Sequence, residues 1–359
     1  MAEPQIPKQH KAAVYDKPGS ISTEVRLVDT PEPGAGEVLV KLSHSGVCHS
    51  DLGVMANTWS SLPYPTQPGQ VGGHEGVGEV VKLGPGTESA PIKLGQRVGI
   101  KWIAYACGGC LPCMSGRDGL CQNQKISGYY YPGTFQQYAI APAHYATPIP
   151  DGVDSASAAP MLCAGVTVYS GLKKADAKPG NFVVLLGAGG GLGHLGVQLA
   201  SKGMGYRVIG VDHPSKKDLV LEMGAEAFVG IDENVVERVK ALTEGLGAHA
   251  VLVLTAANAA YATSVDLLRF GGTVVCVGVP EGKPVAIEGA RAPALIIGEK
   301  KIMGVAVGTR QDAIEVLDFA ARGIVKTHYR TEPLDKLAEV FQEMDDQKLQ
   351  GRVVIDLNA

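Results

Sequence analysis

One segment near the middle of this 359-residue chain constrains the fold more than any other. It begins with a continuous apolar run, Phe182-Val-Val-Leu-Leu186, as expected for a parallel strand that is buried on both faces. A glycine-rich turn, Gly187-Ala-Gly-Gly-Gly-Leu-Gly193, follows, then a helical stretch at 194–202 and a second strand, Arg207-Val-Ile-Gly-Val211, which ends at Asp212. This order of strand, glycine turn, helix, strand and acid predicts a unit that binds a dinucleotide.

The glycine turn and Asp212 also indicate which dinucleotide is bound. Glycine residues let the backbone approach a pyrophosphate closely, and the N-terminus of the following helix favours its negative charge. Asp212 stands where a carboxylate can accept hydrogen bonds from both hydroxyls of the adenosine ribose, and it would repel a 2′-phosphate. The residues therefore favour NAD over NADP.

The apolar pattern divides the chain into an N-terminal part rich in strands and a middle part with alternating strands and helices. Four further strands are predicted after Asp212, at 227–231, 250–254, 272–279 and 301–307, with helices between several of them, such as 262–270. We therefore expect an α/β fold with a doubly wound parallel sheet of the Rossmann type. The first 150 residues show no long helical period. Their pattern predicts short strands at 12–15, 37–42, 77–83, 96–103 and 134–140.

These patterns predict three segments. Residues 1–164 are expected to form a β-rich domain, residues 165–308 the domain that binds NAD, and residues 309–359 a segment that returns to the first domain. The helical pattern begins at about residue 156 and runs to 171. In the return segment we predict helices at 312–322 and 334–349 and a closing strand at 352–357.

Four cysteines form the strongest single motif of the sequence. Cys107, Cys110, Cys113 and Cys121 are separated by two, two and seven residues. Such spacing fits one closed tetrahedral site with four thiolate ligands, which is typical of structural zinc. An iron–sulfur cluster is the competing interpretation, because closely spaced cysteines also occur in ferredoxins. The absence of a proline directly after Cys121 favours zinc.

A second metal site is predicted around His74, which lies in Gly69-Gln-Val-Gly-Gly-His-Glu-Gly-Val-Gly78. A single histidine among glycines is more often a hydrogen-bonded turn residue than a ligand, and Cys163 alone is most simply a small buried side chain. Together with Cys48, however, these residues supply the three protein ligands that a catalytic zinc requires, with a fourth position left open.

The residues after Cys48 have the properties of groups that support such a metal. The Ser50 hydroxyl can accept a proton from an alcohol bound to zinc, although Ser50 is an equally good candidate for a helix N-cap. Asp51 can hold the free ring nitrogen of His74 and so fix its tautomer.

Composition excludes several other classes of protein. The net charge is −4, with 45% hydrophobic and 19% charged residues, and lysines cluster only in isolated pairs, so we expect no nucleic-acid partner. No stretch of 18 apolar residues is present, so we expect no membrane span. The first ten residues carry neither a signal-peptide nor a transit-peptide pattern, and the expected location is the cytoplasm.

Taken together, these motifs resemble the zinc-containing, NAD-dependent alcohol dehydrogenases of the medium-chain superfamily, and especially the fungal, yeast-type enzymes. The resemblance runs from about residue 10 to the end, and of the seven cysteines only Cys276 falls outside the ligand positions. It implies a GroES-like catalytic domain beside the Rossmann domain. The matching segments are Cys48-His-Ser-Asp51, Gly73-His-Glu-Gly-Val-Gly78, the Cys107 to Cys121 loop, Cys163, the Gly187 to Gly193 turn, Gly133-Thr-Phe-Gln-Gln-Tyr138 and Asp318-Phe-Ala-Ala-Arg-Gly-Ile-Val-Lys326.

The resemblance also implies residue roles. Cys48, His74 and Cys163 would hold the catalytic zinc, with Glu75 as an alternate ligand during exchange. Trp59 and Trp102 would narrow the alcohol pocket, although each could equally be a core residue. The implied cofactor contacts are His49 and Arg352 at the pyrophosphate, Gly187, Gly190, Gly191, Leu192 and Gly193 in the turn, Asp212 and Lys217 at the adenosine ribose, and Val277, Val279, Val305 and Val307 at the nicotinamide.

One position departs from the family pattern. The proton relay of the family usually ends in a histidine five residues after the first zinc cysteine, where this chain has Gly53. The hypothesis is that Ser50 and the nicotinamide ribose pass the proton directly to water. The expected reaction is reversible oxidation of small primary alcohols, with secondary alcohols as a second candidate class, through a zinc alkoxide and hydride transfer to NAD.

Two rival functions are also compatible with the sequence. The first is another zinc-dependent reductase of the superfamily, acting on polyols, aromatic aldehydes or threonine. The second is a zinc-binding structural or redox-sensing protein without activity, which would be expected to lack a ligand or the glycine turn. A homotetramer is expected by analogy, because the short loop after Cys121 fits the yeast-type enzymes.

Overall fold

The computed structural model describes residues 5–59, 62–280, 285–349 and 351–359. Residues 1–4, which begin the N-terminal segment discussed above, lie outside the described part. The chain divides into two compact units, which are described separately below. Unit 1 comprises residues 1–163, 309–321 and 329–359, and unit 2 comprises residues 164–308 and 322–328. Among the described residues, no helix combines the length and the apolar character needed to cross a bilayer.

Unit 1 is rich in short strands. Its longest strand, β3, has 11 residues and extends five residues beyond the predicted segment at 37–42, while the predicted strand at 96–103 is divided in two. The elements are β1 (Gln9–Tyr15), β2 (Thr23–Asp29), β3 (Glu37–Val47), α1 (His49–Met55), β4 (Gln70–Val71), β5 (Gly76–Leu83), β6 (Arg97–Ile100), β7 (Ile103–Tyr105), α2 (Leu111–Met114), β8 (Lys125–Ile126), β9 (Tyr138–Pro142), β10 (Thr147–Pro148), α3 (Ser155–Ala158), α10 (Arg310–Ala321), β17 (Tyr329–Pro333), α11 (Leu337–Asp345) and β18 (Arg352–Asp356).

The strand β3 lies at the centre of unit 1. In the described ranges, the largest sheet has seven strands in the order β10-β6-β5-β3-β18-β17, and β9 also pairs with β3. Most residues of β3 are buried, with two runs of three consecutive buried residues, as expected for a strand that has neighbours on both sides. The C-terminal strand β18 pairs antiparallel with β3 through Val353 and Val47. The sheet is therefore completed only by the return segment. Within this segment the structure has one strand, β17, that the sequence pattern does not predict.

Unit 2 has the predicted doubly wound sheet. Its six described strands are parallel and lie in the order β13-β12-β11-β14-β15-β16. The order reverses between β11 and β14, where open sheets of this kind bind ligands at their carboxyl ends. The elements are α4 (Ala164–Lys174), β11 (Phe182–Leu186), α5 (Gly193–Gln198), β12 (Arg207–Asp212), α6 (Lys217–Met223), β13 (Ala227–Gly230), α7 (Val235–Leu242), β14 (Ala248–Val253), α8 (Asn258–Ser264), β15 (Leu268–Cys276), α9 (Ala292–Gly298) and β16 (Lys301–Gly304).

Two helix predictions need correction. The predicted helix at 262–270 ends at Ser264, because Leu268 already begins β15 and pairs with Ala248 of β14. Pairing with a neighbouring strand outweighs the local helical pattern of this segment. The predicted helix at 156–171 is interrupted at Cys163, whose backbone lies at φ −126° and ψ −69° between a 3₁₀ turn and α4.

Candidate metal centres and cofactor-binding turn

The first turn of α1 positions two of the predicted groups. Cys48 is the N-cap of this helix, so the alternative role of Ser50 as N-cap is wrong. The Asp51 carboxylate accepts a hydrogen bond from the Cys48 amide through Oδ2, at 3.0 Å, which closes a capping box. The backbone at Cys48 and the Asp51 side chain are thereby fixed to each other.

The second oxygen of Asp51 fixes His74. Oδ1 lies 2.7 Å from Nδ1 of His74, and both side chains are buried. A proton on Nδ1 that is donated to Asp51 leaves the lone pair of Nε2 free. Nε2 is buried and has no hydrogen-bond partner among the described residues. A buried imidazole nitrogen without a partner is costly unless a metal binds it, so this environment fits zinc.

Four potential ligands converge at this point. One ligand atom from each of Cys48, His74, Glu75 and Cys163 lies within 4.8 Å of the others, and all four residues are buried. A hydrogen bond with Cys163 lowers the pKa of the Cys48 thiol well below its ordinary value. Two sulfur donors and one nitrogen donor form the ligand set that zinc takes in alcohol-oxidising sites.

Glu75 is paired with an arginine, which the sequence did not reveal. Both carboxylate oxygens of Glu75 are hydrogen-bonded to the guanidinium of Arg352 at the start of β18, and both residues are buried. Burial raises the pKa of Glu75 to about 7, and the charge of Arg352 opposes this rise. A Cβ atom at Gly46 would lie 1.9 Å from Glu75 Oε2, so glycine is required there, and no sequence motif marks this need.

Two tryptophans and Ser50 lie close to the ligand cluster. The Trp102 ring stacks edge-on against His74, with 4.9 Å between ring centroids, and the Trp59 ring lies 6.1 Å from Trp102. The Ser50 hydroxyl oxygen lies 3.6 Å from Cys48 Sγ. The structure therefore brings together the predicted metal ligands, the predicted proton acceptor and both predicted pocket residues.

The four cysteines of the 107–121 loop form the second cluster. Their sulfur atoms all lie within 4.8 Å of one another, with Cys110 Sγ 3.5 Å from Cys113 Sγ and 3.8 Å from Cys121 Sγ. The amides of Cys107 and Asn123 each donate to Cys121 Sγ at 3.3 Å, which stabilises a thiolate. A closed set of four sulfur ligands fits a structural zinc with no open position.

In unit 2, the glycine turn follows β11 at the point where the strand order reverses. Gly187 has φ +87°, and a Cβ atom at Gly193 would lie 2.0 Å from the Gly187 carbonyl oxygen. Side chains are therefore excluded where a pyrophosphate must approach. The Gly189 amide donates to Asp212 Oδ2, and the His213 amide donates to Oδ1, each at 2.7 Å. Gly189 was not singled out in the sequence, although it belongs to the glycine motif.

The other predicted cofactor residues are found at both units. Gly190, His49 and Lys217 are exposed, while Gly191 and Leu192 are half-buried. Val277 and Val279 follow the end of β15, and Val305 and Val307 follow the end of β16, so these four share the carboxyl edge of the sheet. Val307 has φ +53°, which is unusual for a β-branched residue and indicates local strain.

Similarity to known proteins agrees with this geometry. An alcohol dehydrogenase GroES-like domain family matches residues 34–151, and a zinc-binding dehydrogenase family matches residues 191–322. Over its full length the chain is 60% identical to alcohol dehydrogenase 2 of Emericella nidulans, with 100% of each protein covered. The chain belongs to the zinc-binding alcohol dehydrogenases. The dehydrogenase is also 41% identical to the alcohol dehydrogenase of Schizosaccharomyces pombe, over 98% of this chain and 99% of that protein.

Solved structures extend the similarity to the fold. The acetophenone reductase of Geotrichum candidum, solved in complex with NAD, is 30% identical with a TM-score of 0.84, covering 98% of each chain. The alcohol dehydrogenase of Aeropyrum pernix is 28% identical with a TM-score of 0.86, covering 96% of this chain and 99% of that chain. The predicted GroES-like and Rossmann fold is therefore confirmed.

These similarities also confirm the predicted activity and cofactors. The chain is an NAD-dependent alcohol dehydrogenase with two zinc ions, one catalytic and one structural. They disfavour two of the alternatives raised by the sequence, a protein without activity and an iron–sulfur cluster at the cysteine loop.

Proposed function

We propose that the dehydrogenase interconverts small primary alcohols and aldehydes at a zinc held by Cys48, His74 and Cys163. The buried Nε2 of His74, which has no hydrogen-bond partner in the described part of the chain and lies near two cysteine sulfurs, carries this proposal. The ring of Trp102 beside His74 favours small substrates, because a large aromatic wall close to a ligand limits the space for the alcohol. Secondary alcohols are also candidate substrates, but they are bulkier than primary alcohols.

Zinc bound at this site supplies a Lewis acid that makes a coordinated alcohol more acidic, and NAD supplies the hydride acceptor. The protein residues hold and orient these groups. Asp51 keeps the proton of His74 on Nδ1, so that Nε2 faces the ligand cluster. Arg352 compensates the charge of Glu75, which would otherwise add a third negative charge beside two thiolates. Glu75 would bind zinc only when its carboxylate leaves Arg352, and it would then serve as an alternate zinc ligand during ligand exchange.

Ser50 is the group that we assign to proton removal. Its hydroxyl lies on α1 beside Cys48, and it is half-buried. Because Gly53 carries no side chain that could continue a relay, Ser50 and the nicotinamide ribose would pass the proton to water.

The deciding experiment combines an activity assay with metal analysis on one sample. Reduction of NAD would be followed with a series of primary, branched and aromatic alcohols, and zinc would be measured per chain. We expect ethanol and its short homologues to give the highest kcat/KM, with two zinc ions per chain. A preference for polyols or aromatic alcohols would overturn the substrate class, and a preparation with two zinc ions but no activity would overturn the proposal.

We also propose the domain and cofactor assignments. Residues 1–164 would act as the catalytic domain, residues 165–308 as the NAD-binding domain, and residues 309–359 as the return segment, although 322–328 group with unit 2. His49 and Arg352 would meet the pyrophosphate, and Lys217 would join Asp212 at the ribose. Because Arg352 already neutralises Glu75, it would share its positive charge between the Glu75 carboxylate and the pyrophosphate. Gly187, Gly190, Gly191, Leu192 and Gly193 would form the turn, and Val277, Val279, Val305 and Val307 would line the nicotinamide.

Replacing Asp212 by asparagine is expected to weaken the preference for NAD. The variant keeps the size of the side chain but removes the charge that binds the ribose hydroxyls and repels a 2′-phosphate. Loss of a hydrogen bond to a charged group costs about 1.5–3 kcal/mol, so the ratio of kcat/KM for NAD to that for NADP should fall about 10- to 100-fold. Asp218→Asn, an exposed acid on α6, is the control and should leave the ratio unchanged. An unchanged ratio in Asp212→Asn would refute the assignment.

We propose that the enzyme is a cytoplasmic homotetramer. In the described part of unit 2, β16 is an edge strand, and the apolar helix α9 beside it has no buried residue. Ile296 and Ile297 on this helix are 74% and 86% exposed. An open strand edge next to exposed isoleucines favours association with another copy of the chain.

A positive charge on α9 should weaken the association between subunits. We expect Ile297→Lys to shift the mass measured by light scattering from that of a tetramer to that of a smaller species, because burying an unpaired lysine in an interface is costly. Ile231→Lys is the matched control, since Ile231 is 60% exposed and follows β13 at the opposite edge of the sheet. If both variants remain tetrameric, α9 is not an interface.

A further inference from the structure

The segment that follows α1 is tied back onto the helix. Asn57 takes a left-handed conformation with φ +55°, and the Thr58 amide donates to the Gly53 carbonyl at 3.1 Å. Farther along, the Thr66 amide donates to Asn57 Oδ1 at 2.8 Å, and the Thr66 hydroxyl donates to the Val54 carbonyl at 2.6 Å. These bonds hold both ends of the segment that carries Trp59 against the helix.

Gly53 is the point where the Trp59 ring meets α1. A Cβ atom at position 53 would lie 2.7 Å from Nε1, 2.8 Å from Cδ1 and 3.0 Å from Cε2 of Trp59. Carbon atoms in contact normally stay about 3.5–4.0 Å apart, so even one methyl group does not fit beneath the ring. The indole therefore occupies the space that a side chain at position 53 would take.

The ring is also linked to the zinc ligands through a second ring. Trp59 lies against Trp102 at an interplanar angle of 58°, and Trp102 stands nearly perpendicular to His74, at 82°. The indole Nε1 of Trp59 is buried and has no hydrogen-bond partner among the described residues, so no polar contact holds the ring in place. The ring instead packs against the bare helix backbone at Gly53 on one side and contacts Trp102.

We propose that Gly53 is a specificity-determining residue that acts by positioning Trp59. The missing side chain lets the indole lie flat against α1, and the ring then sets the wall of the alcohol pocket on that side. A histidine at position 53 and the observed position of Trp59 exclude each other. The absence of the relay histidine is thus coupled to the shape of the pocket. This inference rests on the proposed role of Trp59 in the pocket, and its test separates the two.

The test is a double-mutant cycle with Gly53→Ala, Trp59→Ala and the combination of both. Alanine favours helix over glycine, so the variant at position 53 should fold. The measured quantity is the ratio of kcat/KM for ethanol to kcat/KM for 1-hexanol. In the presence of Trp59, Gly53→Ala should change this ratio about tenfold, which is the effect of a misfit of roughly one methylene group in an apolar pocket. In the Trp59→Ala background, the same substitution should change the ratio less than about twofold, within the additivity limit of independent sites.

An equal change in both backgrounds, or none in either, would overturn the inference. Gly34→Ala, at an exposed turn, controls for a general effect of replacing glycine and should leave the ratio unchanged. All variants are measured as the zinc-loaded enzyme, with zinc content checked for each.

Fluorescence separates failure of the inference from failure of the pocket assignment. The chain has two tryptophans, so Trp102→Phe leaves Trp59 as the single emitter. Adding Gly53→Ala to this variant should shift the emission to longer wavelength, because the displaced indole becomes more exposed to water. If the emission shifts but Trp59→Ala does not alter the alcohol ratio, the contact is real and the pocket role of Trp59 is wrong, so Gly53 does not determine specificity. An unchanged emission would refute the positioning role of Gly53 directly.

Discussion

Replacing Cys163 by alanine is expected to remove one of the two zinc ions and nearly all activity. The variant leaves Cys48 and His74 as ligands, while the Glu75 carboxylate is held by Arg352, so too few ligands remain for the tetrahedral site. A Lewis-acid zinc contributes several kcal/mol to the transition state, and each ~1.4 kcal/mol is a factor of ten, so kcat/KM for ethanol should fall about a thousandfold or more. Metal analysis and NAD reduction on the same sample measure both effects.

The matched control is Cys276→Ala, which removes a half-buried thiol at the end of β15 in unit 2. It should retain two zinc ions per chain and activity close to that of the original enzyme. Full zinc content together with full activity in Cys163→Ala would show that Cys163 is not a ligand. Loss of both zinc ions would indicate instead that the whole unit had failed to fold.

The second large effect is expected at the buried ion pair of Arg352 and Glu75. In Arg352→Met, a side chain of similar volume fills the site, but the carboxylate of Glu75 loses its partner. Breaking one side of a buried pair costs about 3–5 kcal/mol, because the remaining charge is uncompensated. The free energy of unfolding, measured with denaturant, should fall by this amount.

Two further variants distinguish the pair from a local packing effect. Adding Glu75→Gln to Arg352→Met removes the unpaired charge and should restore part of the lost stability. Arg330→Met breaks an exposed pair with Glu343, and exposed pairs contribute about 0–1 kcal/mol. Equal destabilisation by Arg330→Met and Arg352→Met, or no recovery in the double variant, would show that the buried pair does not carry this energy.

The sequence predicted those features that short-range patterns encode. The apolar run at Phe182–Leu186, the glycine turn and Asp212 are close together in the chain, and the structure has the strand, turn and acid in that order. The spacing of the four cysteines predicted their cluster for the same reason. Asp51 could be matched to His74 because a metal-binding histidine needs a partner for its second nitrogen.

Features that depend on distant contacts were not predictable. Arg352 and Glu75 are separated by 277 positions, and only the pairing of β18 with β3 explains their meeting. The contact of Trp59 with Gly53 depends on the bonds of Thr58 and Thr66, which no local pattern reveals. The sequence pattern does not predict β17, because the centre of this strand is mostly polar. The strand forms through its parallel pairing with β18.

The late position of β18 in the chain has a consequence for biosynthesis, because this strand pairs with β3, which is made much earlier. The strand is translated after the whole of unit 2, so residues 44–47 of β3, which pair with β18, lack their partner while unit 2 is being made. At ordinary elongation rates this interval lasts about 10–40 s, long compared with most folding steps. We expect this exposed strand edge to favour aggregation, so chains truncated before residue 352 should be less soluble than the full chain.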